Sequence, residues 1–93
     1  MEIKQGDQMF YIGESQEDAI GRITFAVESE DVIVADHTFV NPDYRGKNIA
    51  RQLLDRLVDY AREKHLKIRP QCSYVVKAFE KYREYQDIIA KDQ

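Results

Sequence analysis

The chain is poor in cysteine, in positive charge and in long apolar runs, and each shortage removes a class of protein. Its one cysteine, Cys72, excludes an internal disulfide and fits a reducing compartment. With 17 acidic against 14 basic side chains and a formal net charge of -3, it lacks the basic surface that binding along a nucleic acid requires. No apolar run approaches the ~20 residues that span a bilayer. The opening Met1-Glu2-Ile3-Lys4 has neither the basic nor the apolar segment of a signal peptide. These absences predict a cytoplasmic protein, monomeric by default, with no nucleic acid and no membrane among its partners. Two separated histidines, His37 and His65, and one cysteine do not make a zinc site, so no metal is expected. The nucleotide P-loop and the dinucleotide G-x-G-x-x-G are both missing.

What is present fits one small domain over residues 1–93. A composition of 43% hydrophobic and 33% charged residues is globular rather than disordered. Residues 8–13 (QMFYIG) read as a short strand and 14–18 as a polar turn. In residues 19–28 the apolar set Gly21, Ile23, Phe25 and Val27 alternates with Ile20, Arg22, Thr24 and Ala26, the pattern of a strand with one face on a core. Ser29-Glu30-Asp31 turn the chain into a third strand over residues 32–40, and Glu28, Glu30 and Asp31 are expected simply to solvate that turn. Short polar turns between three strands imply an antiparallel meander.

The period then changes. Ile49, Ala50, Leu53, Leu54, Leu57, Val58 and Ala61 recur at helical spacing, with Arg51, Asp55, Arg62 and other polar residues assigned to the solvent face. This helix is expected to end near His65, a cation favoured there by the helix dipole. Residues 66–72 (LKIRPQC) read as a short strand, parallel to residues 32–40 through a right-handed crossover. A second helix begins at Ser73 with the stripe Val75, Ala78, Phe79 and Tyr82, which Tyr85, Ile88 and Ile89 continue into the tail. The fold class is therefore α/β (α+β): three antiparallel strands plus one parallel strand, with two helices packed on the sheet.

The passage from strand to helix, Asn41 to Leu54 (NPDYRGKNIARQLL), carries the clearest functional signal. The first turn of a helix leaves N–H groups unpaired and bears about half a positive charge. Phosphate is a natural ligand there. Gly46 lets backbone approach closely, and Arg45 and Lys47 add charge. A solvated basic turn capped by Asn48 or Asp43 explains the same residues without a ligand.

Arg45-Gly46-Lys47-Asn48-Ile49-Ala50 resembles the acyl-CoA-binding loop of the GNAT acetyltransferase superfamily, [QR]-x-x-G-x-[GA]. Arg45 and Ala50 match, and Asn48 stands in place of the central glycine. Asn tolerates left-handed backbone better than other non-glycine residues. Residues 25–85 are similar to the small YjdJ-type, GNAT-like branch. Its more specific elements are His37, Val40, Tyr44, Arg45 and Gly46, then Pro70, Cys72, Tyr74 and Val75. The resemblance implies a reduced GNAT-like fold whose cofactor is acetyl-CoA or CoA. Backbone of Thr38, Phe39 and Val40 would pair with the pantetheine amides, and N–H groups from Arg45 to Ala50 would cradle the pyrophosphate. The helices that shape the acceptor pocket in ordinary members have no counterpart before residue 8. The site for an amine acceptor is then open, supplied by a partner, or absent.

Acetyl transfer needs a base, an acid for the leaving thiolate and donors for an oxyanion. A thiol at a helix N-terminus beside an imidazole can be activated. Cys72 as acyl acceptor with His37 as base or orienter is the sharp reading; a small buried hydrophobe and a satisfied strand histidine is the plain one. Tyr74, Tyr82 and Tyr85 have the spacing of core residues, with Tyr82 a further candidate acid. Three functions follow: an acetyl-CoA-dependent N-acetyltransferase acting on an unidentified amine, a non-catalytic acyl-CoA-binding or sensing module, and a protein-interaction domain that has lost the ligand.

Overall fold

The first forty residues form four antiparallel strands, β1 (Lys4–Gly6), β2 (Met9–Gly13), β3 (Ala19–Ser29) and β4 (Val32–Val40), the last three carrying apolar alternation. The computed structural model describes residues 1–91. After β4 come helix α1 (Ile49–Glu63), strand β5 (Lys67–Pro70) and helix α2 (Ser73–Lys81). The sheet order is β1-β2-β3-β4-β5, with only the β4–β5 pair parallel. The expected strands and helices are present, and β1 is an addition. It is three residues long, mostly polar and at the sheet edge, so neither length nor alternation announces it.

One face of the sheet carries the core. Phe10 pairs with Ile23, Phe25 with Ala35, and Ile33 with Ile68, all buried. Onto them α1 places Ile49, Leu53, Leu54, Leu57, Val58 and Ala61, and α2 places Val75, Ala78 and Phe79. Full burial of each large aliphatic side chain is worth about 1.5–3 kcal/mol, so tertiary packing rather than propensity holds α1. Gly21 lies under its first turns. A Cβ there would stand 3.0 Å from Ile49 Cγ2 and 3.3 Å from Leu53 Cδ1.

The helix ends differ from expectation. His65 lies beyond α1 at φ 59, and Leu66 N–H closes back to Ala61 O at 2.8 Å, a left-handed C-terminal closure. The stripe of α2 does not run on into the tail. Tyr82 is extended at φ -110, ψ 116, and the chain returns alongside β5 through a parallel bridge between Ile68 and Ile89. Ala90 N–H donates to Ile68 O at 2.8 Å, so the tail covers the outer edge of β5.

Candidate functional site

The site forms where β4 and β5 part. They pair only from Val32 to Ala35, and Gln71 and Cys72 both donate their N–H to Ala35 O. Beyond that point, among the described residues, no strand accompanies β4 on the side away from β3. A bulge also interrupts β4: Thr24 opposes His37, but the next pair is Phe25 with Ala35. The extra residue, Asp36, resets which side chains face the core. Thr38 pairs with buried Ile23 and shares its face; His37 and Phe39 lie on the other face, opposite Thr24 and Arg22.

From Val40 the chain enters a tight 3-10 turn, Pro42–Tyr44. Asn41 Oδ1 accepts Asp43 N–H at 2.9 Å, and Arg45 N–H is used by Pro42 O at 3.3 Å. Gly46 then takes φ 85 and Asn48 φ 63, ψ 25, before α1 begins at Ile49. Asn48 thus fills a left-handed position that usually goes to glycine. Its side chain makes no capping hydrogen bond, and Asp43 belongs to the preceding turn. Among the described residues the N–H groups from Gly46 to Arg51 have no partner, and neither do the charged ends of Arg45 and Lys47.

These residues wall an open cavity of about 490 Å³. Of the residues expected at the ligand, Val40, Arg45, Gly46, Asn48, Ile49 and Ala50 line it, and Thr38, Phe39 and Lys47 do not. Tyr44, Tyr74 and Arg51 complete the wall and were not singled out as ligand residues by the sequence. The solvent-face assignment of Arg51 is corrected. Its side chain is 20% exposed, its Nε donates to Tyr85 Oη at 2.5 Å, and its guanidinium lies 3.6 Å from the Tyr82 ring centroid. Ion pairs to Glu84 at 3.1 Å and Asp55 at 3.6 Å complete its surroundings. Burial pulls this guanidinium down, yet the Tyr85 hydroxyl and the two carboxylates outweigh it and hold the group above its ordinary range. The Tyr85 phenol is pushed up, first by burial and then by its hydrogen bond to Asp55. Helical periodicity alone could not find this arrangement, because α2 ends at Lys81 and the chain turns at Tyr82 into a separate 3-10 turn, Arg83–Tyr85, that captures Arg51.

Cys72 is the N-terminal flanking residue of α2, half-buried. Its thiol donates to Thr38 Oγ1 at 3.5 Å. Burial raises the thiol, but the Thr38 hydroxyl and the N–H groups of Val75 and Tyr74 prevail and leave it below the usual thiol value. His37 is exposed on the opposite face of β4 from Thr38, so the structure brings Cys72 to Thr38 rather than to the imidazole. Among the described residues no three His, Cys, Asp or Glu cluster as metal ligands, and no helix is long and apolar enough to cross a membrane.

A family described as GCN5-related N-acetyl-transferase matches residues 9–88. The solution structure of a Staphylococcus aureus protein described as GCN5-like is 37% identical, with a TM-score of 0.83, over 99% of this chain and 90% of that one. A Mycobacterium tuberculosis protein in complex with CoA is 20% identical, with a TM-score of 0.57, over 68% of this chain and 40% of that one. The ribosomal-protein-S18-alanine N-acetyltransferase of Escherichia coli is 18% identical, with a TM-score of 0.63, over 83% of this chain and 53% of that one. The chain thus spans about half the length of the last two, which are alike in fold. No curated protein matched. The match over residues 9–88, together with the near full-length likeness to the Staphylococcus aureus structure, places the chain in the GCN5-related N-acetyltransferase family.

Proposed function

We propose that the chain binds acetyl-CoA or CoA in the cavity at the start of α1 and transfers the acetyl group to an amine. One observation carries the reading: among the described residues, unpaired N–H groups from Gly46 to Arg51 and the unpaired cations Arg45 and Lys47 of the same loop follow the open edge of β4. A pyrophosphate satisfies the N–H groups and the cations, and an extended pantetheine pairs along the open edge of β4. Ile49, Leu53 and Leu54, all buried, fix the loop to the core, so the donors are in place before a ligand arrives. Thr38, Phe39 and Val40 offer the backbone against which the pantetheine amides pair. The family, and the CoA complex of the Mycobacterium tuberculosis protein, support the same ligand.

In this reading Cys72 accepts the acyl group. Its thiolate attacks the thioester carbonyl, the bond from carbonyl carbon to CoA sulfur breaks, and CoA leaves as a thiol after taking a proton. The amine nitrogen then attacks the carbonyl carbon of the Cys72 thioester and loses its proton. The bond from that carbon to the Cys72 sulfur breaks, and the amide departs with the thiolate restored. Thr38 and the N–H groups at the start of α2 favour the thiolate. His37, exposed on the other face of β4, serves as base on the acceptor side. The amine itself is unidentified.

NMR titration of labelled protein with CoA and acetyl-CoA tests the binding. Shifts confined to residues 38–51 and around Cys72 are expected, and no shift at millimolar ligand sinks the reading. Intact-mass measurement after acetyl-CoA tests the covalent step: an adduct of one acetyl group, lost in Cys72→Ser, is expected. Time-dependent loss of acetyl-CoA with an added amine separates an enzyme from a carrier.

A further inference from the structure

Building on the acyl-CoA reading of that cavity, we propose that Arg51 and Tyr85 are its positioning residues, Tyr85 acting on the ligand only through the Arg51 side chain. Arg51 belongs to the first turn of α1 and forms part of the cavity wall. Tyr85 does neither: it is 1% exposed, packed at 5.2 Å from Phe79 and 6.1 Å from Tyr82 between ring centroids. Its hydroxyl accepts from Arg51 Nε at 2.5 Å and donates to Asp55 Oδ1, so one buried oxygen joins two residues of α1 to the returning tail.

Arg51 differs in kind from Arg45, which also lines the cavity, and from Lys47 of the same loop. Arg45 and Lys47 have no side-chain partner among the described residues, whereas Arg51 faces two carboxylates, Glu84 and Asp55, and lies on the Tyr82 ring. A guanidinium so paired adds little net charge to the cavity. What it adds is shape: a wall locked before the ligand arrives, which lowers the ordering cost of binding. The tail and the ligand loop, distant in sequence, are thereby one unit.

Salt dependence separates a positioning role from a direct charge contact. CoA affinity is measured by calorimetry from about 50 to about 400 mM NaCl for wild type, Tyr85→Phe, Asp55→Asn and Arg45→Ala. Amide hydrogen exchange is followed in the ligand-free proteins. Tyr85→Phe keeps the buried ring, and Asp55→Asn, on a half-exposed carboxylate, serves if the first variant is too unstable to titrate. Each is expected to weaken CoA about 3- to 10-fold, the worth of one lost hydrogen bond, with the wild-type salt slope. Amides 52–55, hydrogen-bonded in the first turns of α1, are expected to exchange faster, while those of β3 keep their protection. Arg45→Ala should lower the slope. Unchanged affinity and exchange in both variants overturn the proposal, as does a slope lowered like that of Arg45→Ala. If wild type binds no CoA, the acyl-CoA reading falls by itself. The exchange data then decide: wild-type protection at 52–55 overturns the coupling, and faster exchange there upholds it.

Discussion

The thiol of Cys72 meets the hydroxyl of Thr38 at 3.5 Å, across the point where β4 and β5 separate. Two elements from opposite ends of the α1 crossover are joined there, at a helix start whose N–H groups favour the thiolate. The thiol is lowered, so at neutral pH a larger fraction is ionised than in an ordinary cysteine. Alkylation by iodoacetamide should rise through a midpoint below that of a model thiol. Thr38→Val should move that midpoint upward, and an unchanged profile would show that the hydroxyl does not act on the sulfur.

Asn48 sits at φ 63, where a β-branched residue is strained by about 1–2 kcal/mol. Asn48→Val should lower stability by that order in urea unfolding and weaken CoA by distorting the loop. Asn48→Gly relieves the backbone and should bind CoA within about twofold of wild type, since only an unbonded side chain is lost. A large loss in the glycine variant would mean that the Asn48 side chain itself touches the ligand.

Gly21 has no room for a larger side chain. A Cβ there would also stand 3.1 Å from Phe39 O, and the extra methyls of valine would press α1 away from β3. Gly21→Val should cost about 1–3 kcal/mol, as overpacking does, and should weaken CoA because the first turn of α1 shifts. Unaltered thermal stability would refute the close approach.

Arg45 and Lys47 are unpaired among the described residues, so each is free to meet a phosphate. Arg45→Ala should weaken CoA on the order of tenfold, the worth of a charge-assisted hydrogen bond. The loss should shrink as salt rises. Calorimetry at two salt concentrations checks both points.

The pairing of Asp87 with Arg62 gives stability a pH dependence of known sign. Arg62 Nη2 stands 2.8 Å from Asp87 Oδ1 and holds this carboxyl below its ordinary value. A folded-state pKa below the unfolded one gives stability that is complete above the unfolded value, about 4. It is lost as pH falls through the folded value. The melting temperature of wild type should therefore exceed that of Asp87→Asn at neutral pH. The gap should close between about pH 5 and about pH 2, and a gap independent of pH would contradict the pairing.

Much of this was legible in the order of residues. Alternation over 19–28 and 32–40 and the helical period from Ile49 to Ala61 fix β3, β4 and α1, because side-chain spacing follows directly from backbone geometry. The loop from Arg45 to Ala50 was legible too, since a glycine between two cations ahead of a helix is a local statement. The bulge at Asp36 was not. One inserted residue leaves the composition of a strand unchanged yet reverses which side chains face the core. It sets Thr38 rather than His37 against Cys72.

By itself, then, the sequence determined the local elements and the basic, glycine-containing turn into α1, because these depend on neighbours within a few residues. Only the tertiary structure decided the partner of the thiol and the fate of Arg51. The register of β4 on β3 sets the first, and the tail returning along β5 to place Tyr82, Glu84 and Tyr85 against α1 sets the second. Both are contacts between residues more than thirty positions apart. Their geometry is settled by how the whole chain packs, and no local pattern encodes it.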